Sequence, residues 1–165
     1  VLMELLTDAH GNAAPRLNAV VLPEALAIEY HATLLREIVR MLCAGVIHGD
    51  LSEYNVLVTG EGPVIIDLPQ AVDAAANNNA AAMLKRDVVN ITTCCSRFAP
   101  ALAATRYGDE IWSLYERAQL YPDVVLTGHF AASTRPADVA AVMQEIAAVR
   151  TEHEARLRYK ALIDE

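Results

Sequence analysis

The chain has 165 residues, 54% of them hydrophobic, and carries 13 Lys and Arg against 21 Asp and Glu for a net charge of −8. That length suits one domain with a buried core. No apolar run approaches a membrane span, and the acidic balance speaks against a broad nucleic-acid surface, which needs clustered cations against phosphate.

The chain opens on an apolar, strand-like run, Val1-Leu2-Met3-Glu4-Leu5-Leu6. Asp8 to Asn18, with Gly11, Asn12 and Pro15, then reads as a polar loop. A helix follows, with Pro23 in its first turn and Gly45 at its C-terminal cap. Leu26, Tyr30, Leu34, Ile38, Met41 and Leu42 recur along it at steps of three and four. His31 lies on this helix as a surface or packing histidine, since no second ligand stands at i+4. The helix delivers the chain to Val46-Ile47-His48.

The stretch His48-Gly49-Asp50-Leu51-Ser52-Glu53-Tyr54-Asn55 has the form H-x-D-x-x-x-x-N, and Ile65-Ile66-Asp67 ends twelve residues after the asparagine. This is the spacing of a phosphoryl-transfer catalytic loop and its metal-binding aspartate. One carboxylate, Asp50, must meet the attacking hydroxyl. The amide oxygen of Asn55 and the carboxylate of Asp67 must converge on a divalent ion held against nucleotide phosphates. Between them Asn55-Val56-Leu57-Val58 is β-rich, Thr59 to Pro63 is turn chemistry, and Val64-Ile65-Ile66 is a second β-rich run. A hairpin therefore returns Asp67 beside Asn55.

Past Asp67, Ala74 to Ala82 is rich in Ala and Asn and carries little pattern. Leu84, Val88, Ile91, Cys95 and Phe98 make a second amphipathic helix, and Asp109 to Leu120 a third, with Ile111, Trp112, Tyr115 and Leu120 available for burial. A last helix starts at Ser133-Thr134-Arg135-Pro136 and runs through Val139, Met143, Ile146, Val149, His153 and Leu157. From Arg150 its alternating Glu and Arg read as a solvated face. Cys43, Cys94 and Cys95 are odd in number and form no C-x-x-C pair, so reduced thiols and a cytoplasmic location are expected.

The catalytic stretch resembles that of Rio-type atypical protein kinases, whose loop reads H-x-D-L-S-E-Y-N. Val1 to Leu6 with Ala14-Pro15-Arg16-Leu17 is similar to the hinge and P-A-P-R-L segment of that family. Ile66-Asp67-Leu68-Pro69-Gln70-Ala71-Val72 is similar to its I-D-x-x-Q-x-V metal segment. The resemblance covers about residues 1 to 98. It implies an α+β fold: a mainly helical kinase-like C-terminal lobe, with a small β-hairpin carrying the metal site. Residues 99–165, which the resemblance does not reach, read from their periodicity as a helical extension packed on the lobe, in the same domain. The resemblance also implies ATP with Mg²⁺ or Mn²⁺, phosphoryl transfer to a Ser or Thr hydroxyl on a protein or on the kinase itself, or hydrolysis. Met3, Glu4 and Leu6 would be the hinge against adenine, with Leu57 and Ile66 as apolar surface under the base. Asp87 on the second helix is either an ordinary exposed acid or, as in kinase lobes, the group holding the catalytic loop's amides. Such an enzyme needs a second, N-terminal lobe with a lysine and a loop over the phosphates, and this chain reads as the C-terminal lobe without it. Members of the family act in ribosomal-subunit maturation, but this acidic segment gives no support for docking on RNA.

Two other classes share features of the pattern. A small-molecule kinase of the aminoglycoside or choline type also uses H-G-D, but usually with I-D-W or I-D-F, whereas Ser52-Glu53-Tyr54 and Gln70 favour the Rio type. A non-catalytic nucleotide-binding scaffold has no physical need for Asp50, Asn55 and Asp67 together.

Overall fold

The computed structural model describes residues 4–131. Its longest element, α1 (Glu24–Cys43), starts directly after Pro23, whose fixed φ of −58° serves as the N-cap. It ends before Gly45, which adopts φ +80°. Ala27, Tyr30, His31, Leu34, Leu35, Ile38, Val39 and Leu42 are buried along it. The buried arc is wider than the stripe read from periodicity: Leu35 and Val39 join it, while Leu26 and Met41 are only half-buried. The helix is broader on its apolar side because it packs against other helices and also against strands.

Four short strands form two antiparallel pairs. β1 (Val46–Ile47) pairs with β4 (Val72–Asp73), and β2 (Val56–Thr59) with β3 (Gly62–Ile65). The second pair is the expected hairpin, tighter than its turn-rich sequence suggests, with only Gly60 and Glu61 outside the ladder. Pro63 is tolerated opposite Val58 because Val58 directs its own N–H outward, to the Pro15 carbonyl at 2.8 Å, so no ladder bond is asked of the proline. Asp8 organises the preceding loop, accepting the amides of His10 at 2.8 Å and Asn12 at 2.9 Å. Gly60 N–H then donates to Thr7 O at 3.2 Å, which stitches this loop to the hairpin tip.

α2 (Ala80–Ser96) and α3 (Tyr107–Glu116) complete the described body, joined by a 3₁₀ turn at Pro100–Ala104. α2 begins within the Ala- and Asn-rich stretch, where Asp73 first closes a turn by accepting the amides of Ala75 and Ala76. α3 starts two residues before Asp109 and ends at Glu116. Ala118 then takes φ +54°, a left-handed conformation that stops the helix before Leu120. Glu110 fastens the segment beyond α3 by accepting the amides of Thr127 and Gly128 at 2.9 and 2.8 Å. No helix among the described residues is long and apolar enough to cross a membrane. The helix expected after Ser133 lies outside the described residues.

Only three polar side chains are buried among the described residues: His31, His48 and Asp87. Each has a partner. His31 is a packing residue, its Nε2 2.9 Å from Thr92 Oγ1 and its ring 5.4 Å from that of Tyr107, so it joins α1 to α2 and α3. Burial presses its pKa from 6.5 down to about 4. A histidine held neutral in this way adds stability above pH 6.5 and loses it as pH falls toward 4, up to about 3 kcal/mol when fully protonated. Urea denaturation between pH 7 and pH 4 should show this loss. His31→Gln, which can still bond Thr92 but cannot titrate, should flatten the slope in that window.

Candidate active site

The loop from His48 to Asn55 hangs from one helix. In α2, Asp87 is 1% exposed among Leu84, Val88 and Ile91, and its two carboxylate oxygens accept the amides of Gly49 at 2.8 Å and Leu51 at 3.1 Å. Burial raises its pKa, and these two amides oppose that shift. Asn90 Nδ2 donates to Leu51 O at 2.9 Å, and the Arg86 guanidinium donates to Gly49 O. Of the two readings of Asp87, the loop-holding one is what the geometry shows. Arg86 and Asn90 escaped the sequence reading. The available signal was polar residues one and four positions apart in a helix turn that is otherwise apolar.

Gly49 is required twice over. Its φ is +81°, and a Cβ there would lie 2.7 Å from Met83 Cε and 2.9 Å from Gln70 O. The loop thus fits under the segment that follows Asp67. His48 secures the other side: its buried ring donates from Nε2 to Ile66 O at 3.0 Å, since a carbonyl only accepts. That leaves Nδ1 to face Asp50 N–H at 3.4 Å. One ring therefore ties the catalytic loop to the strand end that carries the second aspartate.

The hairpin sets Asn55 opposite the residue before Asp67. Val56 is registered opposite Ile65, so Asn55 falls opposite Ile66, and Ile66 N–H donates to Asn55 O at 2.9 Å. Asp67 is the next residue and takes φ +70°, a conformation aspartate tolerates better than most side chains. Asn55 Nδ2 donates to Asp50 O at 2.8 Å, which commits its amide nitrogen and turns Oδ1 into the free end of that side chain. Asp50 and Asp67 are both exposed, and their carboxylates have no hydrogen-bond partner among the described residues. The Asn55 amide oxygen and the Asp67 carboxylate, both unengaged, are hard oxygen donors of the kind that Mg²⁺ or Mn²⁺ takes alongside phosphate and water. No group of three His, Cys, Asp or Glu suited to a metal gathers among the described residues.

The expected adenine contacts are more dispersed. Glu4 and Leu6 line a cleft of about 540 Å³ together with Thr59, Gly60, Pro63 and Val64, at the hairpin tip. Leu6 O is committed to Ala14 N–H at 2.9 Å. Leu6 N–H and Glu4 C=O have no backbone partner among the described residues. Leu57 and Ile66 are half-buried in the hairpin and line no part of that cleft. Met3 lies outside the described residues.

Replacing Asp87 by Asn leaves one loop amide facing an NH₂ group in a buried place. Asp87→Asn should therefore cost about 2 kcal/mol or more in urea denaturation. A loss within a few tenths of a kcal/mol would show that the loop does not depend on this carboxylate.

The family model of the RIO domain matches residues 1–107. The RIO-type serine/threonine-protein kinase Rio1 of Haloferax volcanii is 42% identical over 84 residues, covering 50% of this chain and 26% of that protein. Serine/threonine-protein kinase RIO1 of Homo sapiens is 34% identical over 94 residues, 56% of this chain and 16% of the human protein. Rio1 of Methanocaldococcus jannaschii is 34% identical over 101 residues, 60% of this chain and 32% of that protein. The matched part thus spans less than a third of each of these kinases. A loop gripped by a helix carboxylate, a hairpin bringing Asn55 to Asp67, and a family match over more than half the sequence agree, and the chain belongs to the RIO domain family.

Proposed function

We propose that the protein transfers a phosphoryl group from ATP to a Ser or Thr hydroxyl, with autophosphorylation or hydrolysis as the same chemistry on a different acceptor. The observation that carries this reading is the junction at the hairpin's open end. There Asn55 is bonded to the Asp50 carbonyl and registered opposite Ile66, the residue before Asp67, which supports a shared site for these three side chains. The names of the relatives support the acceptor class.

In this reading Asp50 accepts a hydrogen bond from the attacking hydroxyl, orients it, and takes its proton as the bond to phosphorus forms. The exposed position of Asp50 allows a protein side chain to reach it. Asn55 Oδ1 and Asp67 would hold a divalent ion, whose contribution is to neutralise charge on the phosphates. Glu4 C=O and Leu6 N–H would meet the adenine edge, while Leu57 and Ile66 would supply apolar surface toward the base. The phosphates themselves need a lysine. Lys85 is bound to Asp109 at 3.0 Å, and Lys160 lies outside the described residues, so a lobe beyond these 165 residues is assigned that role. The cytoplasm, which supplies ATP and keeps thiols reduced, suits the free Cys43, Cys94 and Cys95.

Asp50→Ala in the complete gene product should lower transfer from radiolabelled ATP roughly 100- to 10,000-fold with nucleotide binding retained. Asp67→Asn should abolish nucleotide-dependent Mn²⁺ binding, and an unchanged titration would remove Asp67 from the ion site. The 165-residue chain alone should transfer no measurable phosphate. A rate near that of the complete product would mean that the phosphates are held by residues other than those of a second lobe.

A further inference from the structure

We infer that Arg86 is a positioning residue for Asp50, holding from helix α2 the carbonyl of the residue that precedes it. This rests on the reading of Asp50 as the proton acceptor. In the H-R-D pattern the residue before the catalytic aspartate is arginine. Here that place is Gly49, and its φ of +81° with Met83 Cε and Gln70 O at 2.7 and 2.9 Å from a Cβ excludes any side chain. A guanidinium arrives nonetheless, from Arg86, one residue before the buried Asp87.

Both polar groups of Gly49 are thereby held by consecutive residues of one helix: its N–H by Asp87 Oδ2 at 2.8 Å and its C=O by the Arg86 guanidinium. The carbonyl of Gly49 belongs to the peptide unit whose nitrogen is that of Asp50. Fixing that carbonyl fixes the plane of the peptide leading into Asp50, and with it the direction in which the Asp50 side chain leaves the backbone. Asp50 gains little help from elsewhere. Its own N–H has only a 3.4 Å contact to His48 Nδ1, and its carboxylate has no partner among the described residues.

Arg86 differs from its neighbours in one respect that makes the inference testable. Asp87 is buried and Asn90 half-buried, so their loss disturbs packing, whereas Arg86 is exposed and has no carboxylate within ion-pair distance among the described residues. An exposed arginine kept only for solubility contributes little to stability and nothing to turnover. One that orients the peptide before Asp50 contributes to turnover while the fold stands without it.

The experiment is steady-state phosphotransfer by the complete gene product carrying Arg86→Met, Arg86→Lys or the exposed charge control Arg117→Met, with urea denaturation of each. Asp50→Ala is run alongside. For Arg86→Met we expect kcat to fall roughly 10- to 100-fold, with KM for ATP changed less than about threefold, in a protein that is still folded without urea although the lost bond to the Gly49 carbonyl lowers its denaturation midpoint. Arg86→Lys should recover part of the loss, and Arg117→Met should match wild type. An unchanged kcat in folded Arg86→Met, or a loss explained wholly by a lower midpoint, overturns the inference. If Asp50→Ala itself retains full activity, the assignment of Asp50 fails first and independently of Arg86.

Discussion

The site depends on a carboxylate that does no chemistry. Asp87 lies among apolar side chains of α2, where an isolated charge is costly, and its burial is offset chiefly by two amides of the His48–Asn55 loop that point at its two oxygens. The dependence is mutual. Gly49 and Leu51 N–H have in Asp87 the partner that a buried backbone amide requires, so helix and loop cannot be separated without leaving polar groups unpaired on both sides. The pairing holds the loop where Asp50 faces outward between two fixed residues.

The hairpin solves a different problem, that of bringing together oxygen groups twelve residues apart in sequence. An antiparallel ladder closed by two residues places Asn55 opposite Ile66, and the same register makes Asp67 emerge at the ladder's end. His48 locks this arrangement to the catalytic loop by donating to Ile66 O. At its far end the hairpin is bonded to Thr7 and Pro15, which links the segment lining the cleft at the hairpin tip to the strands leading to the proposed ion site. Loop, strand end and the segment from Thr7 to Pro15 are thus tied to one another, by the His48 ring and by backbone bonds, and the loop is anchored to α2.

What was legible in the sequence was what chemistry or periodicity constrains tightly. The H-x-D-x-x-x-x-N spacing, the strand ending in Asp67 and the hairpin between them could be read because a phosphoryl-transfer motif fixes both residue types and distances. α1 could be read because twenty residues give its apolar face room to repeat. The β1–β4 pair could not, because two-residue strands carry no periodic signal and their pairing crosses the whole hairpin. The burial of His31 depends on Thr92 and Tyr107, both more than sixty residues away, which no local pattern encodes. Arg86 and Asn90 look like ordinary helix surface until the loop is seen beneath them. The early end of α3 rests on the single backbone conformation of Ala118, which alanine does not advertise.

If helix and loop form one cooperative unit, their amides should open together. Native-state hydrogen exchange on the 165-residue chain measures this directly, residue by residue. The account predicts that the Gly49 and Leu51 amides exchange only through the same global opening that exposes the central amides of α2, with equal opening free energies and equal dependence on urea. Exchange of Gly49 and Leu51 through a low-energy local opening that is independent of urea, while α2 remains protected, would contradict it.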